Sequence, residues 1–101
     1  MEGSVAIKVV VEFQAEPGAR AELMSLLASI SATHQPTTPG FIGSSVYEVL
    51  DNPDGVIEIA EWESAEAQAA AVEQAMATGV YAPVVELVAA PFKATRIGER
   101  A

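Results

Sequence analysis

Glu58 and Trp62 stand four residues apart in the run Gly55 to Glu63, where apolar residues recur at period two. That period puts both side chains on one face of a strand. A carboxylate beside an indole suits proton abstraction. Apolar surroundings penalise the charged form, raise the acid's pKa and make it a base matched to neutral pH, while the ring walls a flat ligand. Which residue of the preceding strand joins them depends on register. Pairing Leu50 with Val56 sets Glu48 opposite Glu58, two like charges facing at a cost. Pairing Leu50 with Gly55 sets Tyr47 opposite Glu58, Ser45 opposite Ala60 and Gly43 opposite Trp62. The second register is preferred, because small residues beside the indole leave a hollow edged by a carboxylate and a phenol.

Each of these residues has a plainer structural account. Trp62 can serve as the largest core side chain, its N–H bonded to a backbone carbonyl. Glu58 can be an exposed strand carboxylate paired with Lys93 or Arg96. Tyr47 can be a cross-strand packing residue. His34, the only histidine, falls at a helix end, where the dipole favours it. It also continues an inward stripe after Ile30, as a proton shuttle at a cavity rim would. Asp51, Asn52 and Asp54 offer oxygen ligands but read as ordinary turn residues. One histidine among scattered acids is no metal site.

Composition narrows the partners. The chain has 101 residues, enough for a single domain spanning 1–101, and half of them are hydrophobic. Fourteen acids against five scattered bases give a formal charge of −9. Nucleic acid needs a basic stripe to displace counterions, so it is excluded as a partner. There is no cysteine, hence no thiolate nucleophile and no disulfide. No apolar run approaches the ~20 residues of a membrane span. The start, Met1-Glu2-Gly3-Ser4, lacks a basic leader region, so cytoplasmic residence is expected.

The elements that position these residues follow from hydrophobic period and punctuation. Val5 to Phe13 alternates as a first strand, apolar on both faces around Val9-Val10-Val11. Glu16-Pro17-Gly18 stops it. Leu23, Leu26, Leu27 and Ile30 define one stripe of a helix from Ala19, which Gln35 to Gly40 ends with its two prolines. Strands Phe41–Leu50 and Gly55–Glu63 flank a hairpin turn, Asp51-Asn52-Pro53-Asp54. Ser64 caps an alanine-rich helix from Ala65 to Thr78, with Gly79 as its stop. Tyr81 to Ala89 reads as a short helical piece and Pro91 to Ile97 as a last strand. The order is β-α-β-β-α-β, an α+β ferredoxin-like split βαβ with a four-stranded antiparallel sheet and helices on one face. The other face is too apolar to be wetted, and pairing two sheets in a C2 homodimer covers it.

Three segments carry a likeness across most of the chain: Ala15-Glu16-Pro17-Gly18, Pro39-Gly40-Phe41, and Trp62-Glu63-Ser64 followed by Ala65-Glu66-Ala67. In this order and spacing the sequence resembles the antibiotic biosynthesis monooxygenase family, above all its anthrone-oxidising members from aromatic polyketide pathways. The resemblance implies a dimeric α+β barrel. It implies a cofactor-independent monooxygenase that oxidises a phenolic, anthrone or quinol-like molecule with molecular oxygen, using neither metal nor flavin. Family members place an asparagine four positions before the tryptophan, where this chain has Glu58. A tyrosine of their following helix corresponds to Gln68. The haem-degrading branch carries a histidine further along that helix, near Val72 here, so no haem ligand is implied. The expected catalytic residues are Trp62, Glu58 and Tyr47, with His34, Gln68, Gly43 and Ser45 contacting substrate. Another function class stays open: a non-oxidative small-molecule-binding protein, or a cyclase or isomerase, on the same fold.

Overall fold

The computed structural model describes residues 6–98. Val5, expected to open the first strand, lies outside them. The elements are β1 (Ile7–Gln14), α1 (Arg20–His34), β2 (Phe41–Glu48), β3 (Gly55–Trp62), α2 (Ala65–Thr78), α3 (Ala82–Val85) and β4 (Lys93–Gly98). A 3₁₀ turn, Gln35–Thr37, follows α1 directly. The strands lie in the order β2-β3-β1-β4, with every neighbouring pair antiparallel. This is the ferredoxin-like α+β fold, with the split βαβ connections that the alternation of strand and helix periods implies.

Local chemistry sets the boundaries. Ser64 caps α2, its Oγ accepting from the Ala67 N–H at 3.1 Å, and Gly79 ends the helix in the left-handed region at φ 70°. The second helical piece is four residues long rather than the nine from Tyr81 to Ala89. After it the backbone runs beside the end of β1: Glu16 donates to the Leu87 carbonyl at 2.8 Å and Ala89 to that of Gln14 at 2.7 Å. Those two bonds occupy groups that a longer helix would have used internally.

The core fills one end of the layer between sheet and helices. Phe13 of β1, Val56 of β3, Leu23 and Leu27 of α1, Val84 of α3 and Ala15 are buried together. Side chains such as Leu27 and Val56 each contribute roughly 1.5–3 kcal/mol by leaving water. Toward the other end, the same sheet face carries Val9 and Ala60, which are buried, and Glu58 and Ser44, which are half-buried. Val10, Ile57, Ile59, Tyr47, Ser45 and Ile97 project from the opposite face, which no helix among the described residues covers.

Candidate active site

The β2–β3 register determines what surrounds Glu58. Val46 lies opposite Glu58, Ser44 opposite Ala60 and Glu48 opposite Val56. This is one residue away from the register preferred on sequence grounds, and side chains alternate between faces, so the difference inverts the strand. Tyr47 pairs with Ile57 and Ser45 with Ile59, on the face away from Glu58 and Trp62. Gly43 pairs with Glu61 rather than Trp62. The cause is the turn. Leu50 belongs to it rather than to β2 and is 94% exposed, since Asn52 donates to the Val49 carbonyl and Val49 to the Gly55 carbonyl. Arg20 holds that turn through the Asn52 carbonyl at 3.1 Å and an ion pair with Glu48 at 3.4 Å.

A second irregularity sits at the other end of the ladder. The pairing shifts between Phe41 and Gly43, leaving Ile42 as a bulge, and the Gln35 side-chain amide donates to the freed Ile42 carbonyl at 2.9 Å. The shift brings Phe41 opposite Trp62, with ring centroids 4.9 Å apart and planes inclined by 39°. The indole therefore rests on an aromatic ring, where two glycine hydrogens were expected. Such a pair adds about 0.5–1.5 kcal/mol beyond burial and fixes the indole's tilt.

Glu58 is half-buried. Burial pushes its carboxyl above the ordinary 4.5, opposed in part by the neighbouring Ser44 hydroxyl. Ser44 Oγ lies 2.8 Å from Ser31 Oγ of α1. The two serines open onto a groove of about 440 Å³ between α1 and β2, lined also by Met24, Ala28, Gln35 and Val46. Tyr81, between α2 and α3 and partly exposed, lies close enough to feel the same carboxylate's charge. Burial raises its phenol pKa and the Glu58 charge raises it further, so near neutral pH it stays a protonated donor.

Gln68 is 8% exposed and its Oε1 has no partner. It lies one turn into α2, which starts just beyond Trp62 and so covers that end of the sheet. An unpaired buried amide oxygen costs about 1–3 kcal/mol, which a donor on a ligand would recover. His34 is exposed at the end of α1 and does not extend the buried stripe of Leu23 and Leu27. Of the residues expected from sequence, Glu58 and Trp62 share the helix-covered face and Gln68 is buried under its helix. Tyr47 and Ser45 point the other way. Ser44, Ser31 and Tyr81 were not anticipated. Register alone could have exposed Ser44, and no local signal marks Tyr81, which the chain reaches 23 positions after Glu58.

A ferredoxin-like α+β sheet with a desolvated carboxylate beneath its helices defines the class of protein. The sequence profile of the antibiotic biosynthesis monooxygenase family matches residues 6–79, and the chain belongs to that family. Comparison with curated protein sequences gives no match. Among solved structures, SnoaB, a cofactor-independent oxygenase from Streptomyces nogalater, superposes with a TM-score of 0.80 at 21% identity, over 97% of this chain and 96% of its own. A conserved protein from Methanosarcina mazei gives 0.79 at 21% identity, over 95% and 94%. Rv0793 from Mycobacterium tuberculosis gives 0.77 at 21%, over 95% and 96%. At these identities the likeness establishes the fold. No helix among the described residues is long and apolar enough to cross a membrane.

Proposed function

We propose that this protein is a cofactor-independent monooxygenase of an electron-rich phenol, quinol or anthrone, working as a cytoplasmic homodimer in aromatic polyketide or antibiotic biosynthesis. The observation that carries the reading is the Glu58 carboxyl: half-buried, raised in pKa and on the face shared with Trp62. Ground-state oxygen reacts slowly with closed-shell molecules because spin must change. An anion avoids that barrier by passing one electron to oxygen, after which the radical pair joins.

With an anthrone, Glu58 takes a proton from the ring methylene and leaves a delocalised carbanion. One electron passes to O2, and carbon and superoxide combine to a peroxide, which takes a proton from water. The hydroperoxide loses water, taking the second methylene hydrogen, and a quinone carbonyl remains. One oxygen atom enters the product and the other leaves in water. Trp62, tilted by Phe41, supplies the flat wall; Tyr81 donates a hydrogen bond toward the anion, and Gln68 Oε1 accepts one from a substrate hydroxyl. Dimerisation through Val10, Ile57, Ile59 and Tyr47 would cover the open sheet face.

Oxygen uptake by metal-stripped protein with an anthrone or a dihydroxynaphthalene tests the reading. Uptake above the buffer rate that is lost in Glu58→Gln supports it. Saturable binding of the same compounds without uptake would assign the site to binding or non-oxidative acid–base chemistry.

A further inference from the structure

A base half-withdrawn from water must also be emptied. Glu58 receives a proton in every turnover of the proposed reaction, and the substrate itself shields it from water while bound. The sheet register places Ser44 diagonally next to Glu58 on the helix-covered face, since Ser44 opposes Ala60 and Val46 opposes Glu58. From Ser44 the next polar atom is Ser31 Oγ at 2.8 Å, on the neighbouring helix, and both serines line the solvent-open groove of about 440 Å³. The remaining lining of that groove, Met24, Ala28, Ala32 and Val46, is apolar apart from Gln35. Gln35 is already committed to the Ile42 carbonyl.

We propose that Ser44 and Ser31 form a proton wire from Glu58 to the groove between α1 and β2. Two hydroxyls in series suit this role because each is donor and acceptor at once. With Glu58 ionised, Ser31 donates to Ser44 and Ser44 donates to the carboxylate. After Glu58 takes the substrate proton, its O–H passes that proton to Ser44 Oγ. Ser44 passes its own proton to Ser31 Oγ, and Ser31 releases one to water in the groove. One proton enters from the substrate and one leaves to the groove, matching the proton that water gives the peroxide, and the two hydroxyls end reversed, resetting when they rotate. Ser44 and Ser31 are positioning and relay residues, neither touching the reacting carbon.

The inference rests on Glu58 acting as the base, so its test has one readout that needs no substrate. The other groups to consider around Glu58 are Glu48, its second diagonal neighbour and paired with Arg20; Tyr81, which feels its charge; and Arg96 and His34, both exposed on elements nearby. The midpoint of the Glu58 carboxyl is followed by carbon NMR in wild type, Ser44→Ala and Ser31→Ala. Ser44→Ala removes the hydroxyl that favours the carboxylate and raises the midpoint by about half a pH unit or more. Ser31→Ala, which does not reach Glu58, raises it by a smaller but measurable amount through Ser44. A Ser31→Ala midpoint equal to wild type breaks the chain and overturns the proposal.

Turnover supplies the second readout. Each alanine variant lowers kcat roughly tenfold with KM unchanged, and Ser31→Thr and Ser44→Thr, which keep the hydroxyl, restore it. Threonine variants as slow as the alanines would overturn the wire. If wild type oxidises no substrate while the carboxyl midpoint still responds to Ser31, the hydrogen-bonded chain stands and the oxygenase reading is what fails.

Discussion

Glu58 faces Val46 across the β2–β3 ladder, with Ser44 as its diagonal neighbour on the same face. An aliphatic side chain directly opposite the carboxylate removes water, and the serine hydroxyl returns part of the lost stabilisation. The balance leaves the carboxyl above its ordinary 4.5, with burial the larger cause.

That balance gives catalysis and stability opposite pH dependences. The folded pKa of Glu58 lies above its unfolded value, so its contribution to stability is fully present below pH 4.5 and is lost as pH rises through the folded pKa. Glu58→Gln carries no such proton. It unfolds at a higher denaturant concentration than wild type at pH 8, and the two converge near pH 4.5. Activity needs the carboxylate, so wild-type kcat/KM rises over the same window while the variant is slower on the order of 100-fold. Urea titrations and initial rates across that window check both signs.

Gly40 and Ala67 set the separation between the β2 end of the sheet and α2. Gly40 has φ 81°, and a Cβ built there collides with the Ala67 Cβ. Gly40→Ala therefore meets both a backbone and a packing penalty and destabilises by about 2 kcal/mol or more. Adding Ala67→Gly relieves the collision but not the left-handed backbone, so thermal denaturation of the double variant recovers stability only in part.

Gln68 is predicted to separate stability from ligand recognition. Gln68→Leu removes the unpaired Oε1 and leaves an apolar side chain under α2. The variant gains about 1 kcal/mol in urea unfolding. Its affinity for a phenolic ligand falls about fivefold or more, read from quenching of the chain's single tryptophan.

The open sheet face yields a test of assembly. Ile59 projects from its middle, between Val10 of β1 and Ser45 of β2. Ile59→Lys puts a charge where an apolar partner surface is proposed, a substitution an isolated sheet would tolerate in water. Sedimentation at micromolar concentration gives twice the chain mass for wild type and the single-chain mass for the variant.

Period and punctuation carried most of the fold. The α2 limits follow from Ser64 and Gly79, and the strands around Val9 and Ile57 from alternation, because these signals are local. The spacing of Glu58 and Trp62 is equally local, and both share the covered face. Register was not legible in the same way. Leu50 reads as strand by composition, yet the hydrogen bonds of Val49, Asn52 and Gly55 fold it into the turn and reverse the facing of Tyr47 and Ser45. The Ile42 bulge depends on Gln35, seven positions away, and Tyr81 reaches Glu58 only through the packing of the segment after α2. Long-range placement of this kind leaves no imprint on a residue's neighbours in sequence.

The most direct test of the account is to follow the atoms of oxygen. Metal-stripped wild type and Glu58→Gln are each given an anthrone under ¹⁸O₂, and the product is weighed by mass spectrometry. Wild type is expected to place one labelled oxygen in the quinone and one in water well above the buffer rate, and Glu58→Gln to form nearly none of this product. Product that is unlabelled, or formed equally by Glu58→Gln, would contradict it.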